Sequence, residues 1–142
     1  MAPKKLRIIL DTNWYVSATI NKNSRRTLYK LLTHEQLVIL YSEELIGEYL
    51  EVMTRKKFKK IVTSRQVNRF ITLLTSGMEQ IRLKTVVRES RDPDDDFLLS
   101  LALDGSADFL VTGDEDLLVL EHTGATKILR LNDFLAILQE LF

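Results

Sequence analysis

The chain has 142 residues, a formal net charge of +0 and a hydrophobic fraction of 45%, which predicts one domain with a core of its own. It contains no cysteine, which excludes disulfides, thiolate zinc sites and a cysteine nucleophile, and its two histidines leave oxygen atoms as the expected ligands of any metal. No apolar run approaches the length of a membrane span and the stretch near the N-terminus is too short for a secretory signal, so we expect a cytoplasmic protein without membrane contact.

Strand-like and helix-like segments alternate along the chain. Strands are predicted at residues 6–10, 37–40, 81–83, 109–111 and 127–131. Helices are predicted to begin near Asn13, to follow Ser42 and Thr63, and to cover residues 24–33, 94–103 and 133–141. This alternation predicts an α/β fold in which a parallel sheet of about five strands carries helices on both faces.

Capping residues mark the starts of several predicted helices. Ser42 precedes a helix whose first turn is acidic, as the helix dipole favours. Thr63 and Gln66 have the spacing of a capping box. Asn132 is predicted to cap the last helix. These local signals agree with the strand and helix periodicity.

Two acidic residues follow predicted buried strands, Asp11 after the first and Asp114 after the fourth. In an open parallel sheet, ligands bind at the C-terminal ends of the strands, so both residues are candidates for a functional site. Asp11 could instead cap the next helix, but Asn13 could serve that purpose and leave Asp11 free. Likewise, one of Asp114 and Asp116 could be a plain helix cap.

Glu48 lies at the edge of the apolar stripe of its predicted helix, beside Val52. This position predicts a glutamate that is partly buried and directed into the fold. The alternative is a boundary glutamate whose side chain reaches water.

Residues 91–96 form a dense acidic run before a helix that is almost entirely apolar. Some of these carboxylates complement the helix N-terminus, but they cannot all be caps, and helix geometry leaves open which one enters a site. Carboxylates from these separated segments repel one another, so their convergence would require a divalent cation.

A basic run stands in the middle of an otherwise balanced chain. Its members are Arg55, Lys56, Lys57, Lys59 and Lys60. Separate basic and acidic faces suit a phosphate polymer that lies across a metal site. The alternative interpretation is a solvated helix end.

Four segments together resemble one family. They are Asp11-Thr12-Asn13, Ser42 with Glu48, the acidic run 92–96, and Val-Thr-Gly-Asp-Glu-Asp-Leu-Leu at 111–118. This combination resembles the PIN-domain family, and within it the toxins of toxin–antitoxin pairs. The resemblance covers essentially the whole chain and implies a single PIN-like domain over residues 1–142, folded as an α/β/α sandwich.

The resemblance also implies a metal-dependent endoribonuclease that cleaves single-stranded RNA with Mg²⁺ or Mn²⁺. Matched residue by residue, the catalytic and metal-binding acids are Asp11, Glu48, Asp95 and Asp114, with Asp116 as a further metal ligand and Asn13 and Thr112 in support. Asp94 and Asp96 are close rivals of Asp95. The implied partners are a cognate antitoxin protein and a second copy of the chain, and the basic run would bind RNA phosphates.

Other classes of protein fit the sequence less well. A phosphatase of the haloacid-dehalogenase type would have a second acid two residues after Asp11, where this chain has Asn13. A dinucleotide-binding module would have a glycine-rich turn that is absent. The main alternative is a non-catalytic RNA-binding or protein-interaction module with the same fold. The C-terminal apolar residues Phe134, Leu135, Ile137, Leu138, Leu141 and Phe142 exceed what one helix face needs, which gives modest support to a homodimer. The alternative is that most of them simply cover the sheet.

Overall fold

The computed structural model describes residues 4–142, so the first three residues of the predicted domain 1–142 lie outside the described part. The strands are β1 (Leu6–Leu10), β2 (Leu37–Tyr41), β3 (Glu79–Gln80), β4 (Phe109–Val111), β5 (His122–Thr123) and β6 (Thr126–Leu129). The helices are α1 (Thr12–Ile20), α2 (Lys22–Leu32), α3 (Glu43–Met53), α4 (Lys56–Lys59), α5 (Ser64–Thr75), α6 (Asp96–Asp104), α7 (Glu115–Leu118) and α8 (Leu131–Leu141). A 3₁₀ turn, Pro93–Asp95, leads into α6. None of the helices within residues 4–142 has the length and apolar character needed to cross a bilayer.

A largely parallel sheet lies at the centre of the fold. Among the described residues it has six strands in the order β3-β2-β1-β4-β6-β5. Neighbouring strands are parallel except for β5 and β6, which are antiparallel. Helices alternate with the strands and flank the sheet, as the periodicity predicted. The α/β/α prediction is therefore confirmed, with one strand more than expected.

Both edge strands differ from the sequence prediction. β3 covers Glu79–Gln80 instead of 81–83, because its partner β2 ends at Tyr41, which pairs with Gln80. The backbone N–H of Ile81 makes the last bond, to the carbonyl of Tyr41 at 2.8 Å. Ile81 then packs against the core instead of extending the sheet. The short strand β5 was not indicated by the sequence pattern. It exists because Gly124, with a φ of +55°, turns the chain back to pair with β6.

The central strands β1 and β4 are buried on both faces. Ile9 of β1 and Leu110 of β4 have no exposed surface, as expected for parallel strands covered by helices. The register pairs Leu10 with Val111, the last residue of each strand. The backbone N–H of Asp11 donates to the carbonyl of Val111 at 3.1 Å. The two segments that follow these strands therefore emerge side by side at the C-terminal edge of the sheet.

Two of the three predicted helix caps are confirmed. The Ser42 hydroxyl accepts a backbone hydrogen bond at the start of α3. Thr63 and Gln66 form a complete capping box at the start of α5, with bonds of 3.1 and 2.8 Å. The cap predicted at Asn132 is wrong, because the chain turns into α8 two residues earlier, with Arg130 at the cap position and no side-chain capping bond.

Candidate metal centre

Asp11 is buried at the end of β1, and both of its carboxylate oxygens accept hydrogen bonds. Oδ1 accepts from the backbone N–H of Asn13 at 3.0 Å and caps α1, and Oδ2 accepts from the hydroxyl of Thr112. Of the two caps that the sequence left open, the structure has Asp11 and not Asn13, because α1 already begins at Thr12 and the residue before it takes the cap position. Burial raises the pKa of Asp11, and the hydrogen bonds partly offset that rise.

Thr112 connects the two acids that follow β1 and β4. It is fully buried, and its hydroxyl donates to Asp11 while accepting from the backbone N–H of Asp114 at 3.0 Å. The Asp114 carboxylate in turn accepts from the backbone N–H of Asp116 at 2.9 Å and caps α7. One threonine side chain thus sets the relative position of Asp11 and Asp114.

Asp95 ends the 3₁₀ turn before α6, and its carboxylate faces that of Asp114 within hydrogen-bonding reach. Its Oδ2 atom is buried and receives no hydrogen bond from a donor. Burial raises the pKa of Asp95 to about 8, with further contributions from Asp114, Asp92 and Glu48. Two carboxylates in this arrangement are stable only with a shared proton or a bound cation.

Glu48 reaches the same place from α3, which packs against α1. Its side chain is partly buried, as its place at the edge of the apolar stripe predicted. Burial raises the pKa of Glu48, and the negative charges of Asp11 and Asp94 raise it further. Glu48 is therefore close enough to Asp11 to feel its charge, and Asp95 is close enough to feel the charges of Glu48 and Asp114.

Asp92 also belongs to this group, although sequence reasoning did not select it. Carboxylate oxygens of Asp92, Asp95 and Asp116 lie within 4.8 Å of one another, a spacing that suits ligands of one metal ion. The available signal was its place in the acidic run immediately before Pro93, which marks a turn rather than a solvated helix. We call the full group the acidic cluster; its members are Asp11, Glu48, Asp92, Asp95, Asp114 and Asp116.

The two rivals of Asp95 are placed differently. Asp96 is the first residue of α6, and its Oδ1 accepts from the backbone N–H of Ser90 at 2.9 Å. The backbone N–H of Asp94 donates to the Asp92 carboxylate at 3.0 Å. The exposed carboxylate of Asp94 raises the pKa of Glu48 through its charge. Asp95 is the one whose carboxylate meets Asp114.

Two arginines stand beside the cluster. The guanidinium of Arg91 lies 2.9 Å from Asp116 Oδ1 and donates to the carbonyl of Glu115 at 3.3 Å. The guanidinium of Arg130 pairs with the carboxylate of Glu115, which is not a member of the cluster. Among the ion pairs formed by residues 4–142, the one between Arg91 and Asp116 is the one that reaches the acidic cluster.

The predicted RNA-binding residues are all exposed on and around α4. They are Arg55, Lys56, Lys57, Lys59 and Lys60. Arg55 pairs with Glu51 of α3 at 3.5 Å, and Lys57 Nζ lies 4.9 Å from the ring centroid of Phe58. These contacts hold the side chain of Arg55 against α3 and that of Lys57 against α4. The buried ring of Phe58 anchors α4 in the core.

The donor set of the acidic cluster fits a hard divalent cation. Every member offers carboxylate oxygen, and the described residues add no histidine to the group. The buried Oδ2 of Asp95 is an acceptor without a donor, which a cation would satisfy. Burial and the neighbouring acids raise the pKa of Asp95, and a cation would favour its ionised form.

Similar folds occur in two solved structures. PAE2754 from Pyrobaculum aerophilum superposes with a TM-score of 0.62 at 17% identity, covering 95% of this chain and 90% of that one. The complex of VapBC2 from Rickettsia felis with a DNA fragment from their promoter contains a chain that matches with a TM-score of 0.57 at 19% identity, covering 87% of this chain and 97% of that one. At these identities the likeness shows the fold.

Sequence comparison gives the family. An uncharacterized protein of Methanocaldococcus jannaschii is 27% identical over 131 residues, which span 91% of this chain and 83% of that protein. The PIN-domain family matches residues 7–116, a stretch that contains every member of the acidic cluster. Since that match extends over most of the chain, and the sheet and helices agree with it, this protein belongs to the PIN-domain family.

Proposed function

We propose that this protein is a metal-dependent endoribonuclease that cleaves single-stranded RNA and acts as the toxin of a toxin–antitoxin pair. PIN domains are generally nucleases. The observation that carries the proposal is geometric: carboxylate oxygens of Asp92, Asp95 and Asp116 lie within 4.8 Å of one another, and the buried Asp95 Oδ2 has no donor. A side-chain nucleophile is not needed for such a reaction, in keeping with a chain that lacks cysteine.

The metal would be Mg²⁺ or Mn²⁺, held by Asp11, Glu48, Asp95 and Asp114, with Asp116 and Asp92 as neighbouring ligands. When bound, such an ion supplies Lewis-acid activation of water and of the phosphate. Thr112 holds Asp11 and Asp114 in register, and Asn13 contributes through its backbone N–H to Asp11. The raised pKa of Asp95 allows this carboxylate to hold a proton near neutral pH until a cation replaces it.

The substrate would reach the acids from the exposed basic run Arg55, Lys56, Lys57, Lys59 and Lys60. Single-stranded RNA carries one charge per phosphate, and exposed lysines and arginines bind such a polymer mainly through those charges. A strand that contacts α4 and the acidic cluster together would pass along α3, which connects them in the chain.

The proposal of an antitoxin partner and a homodimer has separate support. The similar Rickettsia felis structure is a VapBC2 complex bound to promoter DNA, which suggests that this chain also has a DNA-binding partner protein. The C-terminal residues Leu141 and Phe142 are 55% and 56% exposed, which leaves apolar surface for a second copy of the chain.

The decisive experiment is cleavage of end-labelled single-stranded RNA by purified protein with Mn²⁺, with Mg²⁺ and with EDTA. We expect cleavage that depends on the metal, leaves 5′-phosphate ends and disappears in Asp11→Asn. Products with 2′,3′-cyclic phosphate would show that the RNA 2′-hydroxyl attacks and would contradict activation of water. Metal-independent RNA binding without any cleavage would favour the non-catalytic alternative.

A further inference from the structure

The segment before the acidic run is fastened along α6. Three side chains spaced four residues apart on α6 accept hydrogen bonds from backbone N–H groups of this segment. The acceptors are Asp104, Ser100 and Asp96, and the donors are Lys84, Val87 and Ser90, at 2.7, 3.2 and 2.9 Å. The segment is therefore held antiparallel to the helix, and it delivers residue 91 to the rim of the acidic cluster.

Arg91 uses this position to contact Asp116. Its guanidinium lies 2.9 Å from Asp116 Oδ1, and the same nitrogen donates to the carbonyl of Glu115 at 3.3 Å. The Asp116 carboxylate is within 4.8 Å of ligand oxygens of Asp92 and Asp95. The backbone of Arg91 is thus fixed, while its side chain remains 58% exposed and able to turn.

We propose that Arg91 is a substrate-binding residue that exchanges partners when the site binds metal. Its guanidinium pairs with Asp116 in the structure. If a divalent ion took the Asp116 carboxylate, the guanidinium would be free to turn to a phosphate of the RNA. This inference rests on the proposed nuclease function and adds a cationic residue to the acidic cluster.

Charge and geometry support such an exchange. An ion pair as exposed as this one is weak, so a doubly charged ion can replace the guanidinium at Asp116. The released guanidinium offers several N–H donors in a planar fork that matches two phosphate oxygens. A phosphate that approaches the acidic cluster must also overcome its negative charge, and the guanidinium of Arg91 already contacts the cluster at Asp116 and can offset that charge.

Arg130 provides a matched control. It is 51% exposed, close to Arg91 in this respect, and its partner Glu115 is the residue next to Asp116. Its ion pair does not involve a member of the acidic cluster. Removal of Arg130 therefore changes the net charge equally without freeing a ligand oxygen.

The test compares wild type, Arg91→Ala, Arg91→Lys and Arg130→Ala. Binding of Mn²⁺ alone is measured by calorimetry, and KM and kcat are measured with fluorescein-labelled single-stranded RNA over a range of salt. For Arg91→Ala we expect several-fold tighter Mn²⁺ binding and a several-fold higher KM. The slope of log KM against log salt should be shallower by about 0.7, which is the value for one phosphate contact on a single strand. Arg91→Lys should recover the salt dependence but only part of the KM, because the planar fork is lost.

Several outcomes would overturn the role of Arg91. The first is an unchanged KM in Arg91→Ala. The second is weaker Mn²⁺ binding by Arg91→Ala, which would mean that Arg91 holds Asp116 in place for the metal. The third is that Arg130→Ala has the same effects as Arg91→Ala. If wild type cleaves RNA with Mn²⁺ and any of these is observed, the nuclease function stands and this inference alone fails. If wild type neither binds Mn²⁺ nor cleaves RNA, both fail. Thermal unfolding of each variant verifies that it is folded.

Discussion

The carboxylates of Asp95 and Asp114 face each other at the C-terminal edge of the sheet, although one comes from a turn before α6 and the other follows β4. Burial and the neighbouring charge raise the pKa of Asp95 to about 8. Between pH 3.8 and about 8, the folded protein without metal thus keeps a proton on Asp95 that the unfolded chain releases. The site is destabilising when it is fully ionised, and this property can be measured without any substrate.

The first prediction concerns the pH dependence of stability without metal. The folded pKa of Asp95 lies above its ordinary value of 3.8. Proton binding by Asp95 therefore stabilises the fold fully below pH 3.8, and this stabilisation is lost as pH rises toward and through 8. Asp95→Asn should be more stable than wild type near pH 8 by about 1–3 kcal/mol, less than the full shift implies because the side chain retains solvent contact. Chemical denaturation at several pH values with EDTA measures the difference. Asp94→Asn, in the same turn but exposed, should keep most of the wild-type slope, since its charge acts only through Glu48. A slope in Asp95→Asn as steep as in wild type would contradict the assignment.

The second prediction separates the structural and metal-binding roles of Asp11. Asp11→Asn keeps a capping oxygen and removes a buried charge whose pKa is raised, so near neutral pH it should be at least as stable as wild type without metal. Asp11→Ala loses both the cap and the bond from Thr112 and should lose about 1–3 kcal/mol. Mn²⁺ should raise the melting temperature of wild type, because it binds the folded site.

Mn²⁺ should do much less for either Asp11 variant. Thermal unfolding with and without Mn²⁺ provides this comparison. If the ion shifts wild type and Asp11→Asn equally, Asp11 serves only as a cap.

The third prediction concerns the bridging hydroxyl of Thr112. Thr112→Val leaves the buried Asp11 Oδ2 without its donor and the Asp114 N–H without its acceptor, which should cost about 1–3 kcal/mol of stability. The pKa of Asp11 should rise further, since this hydrogen bond lowers it. Thr112→Ser retains the hydroxyl and should lose much less. Denaturant unfolding of the two variants, side by side, decides whether the hydroxyl or the methyl group matters.

The fourth prediction tests the basic run. Lys56→Ala with Lys57→Ala should reduce RNA affinity and make its dependence on log salt shallower by about 1.4, which corresponds to two phosphate contacts on a single strand. The control is Arg26→Ala with Lys30→Ala, which removes two exposed cations of α2. Anisotropy of labelled RNA at several salt concentrations, in EDTA, measures both slopes. Equal slopes for the two double variants would show that the run is a solvated face.

The fifth prediction concerns assembly. Leu141→Ser with Phe142→Ser should shift the protein from dimer to monomer in sedimentation experiments, because it removes exposed apolar surface from the end of α8. Val86→Ser, at a residue that is 75% exposed, should leave the distribution unchanged. A wild-type protein that remains monomeric at high concentration would contradict the proposed homodimer.

Local sequence patterns were sufficient for much of the fold. Apolar runs predicted the central strands, and Ser42 and the box of Thr63 with Gln66 predicted two helix starts. These signals are short-range, because capping and periodicity involve residues within a few positions of one another. The placement of Asp11 and Asp114 after neighbouring strands followed from the same patterns and the rule for parallel sheets. The family resemblance is likewise confirmed over residues 7–116.

Only the tertiary structure decided how the acidic run 92–96 is used. The composition of that run is nearly uniform, so the distinction between Asp95 and Asp96 depends on which carboxylate meets Asp114 and which is taken by Ser90. The same holds for the contact of Arg91 with Asp116. Residues far apart in the sequence meet because the turn before α6 and the segment after β4 come to the same place in the fold. No local pattern encodes the direction in which each side chain then points.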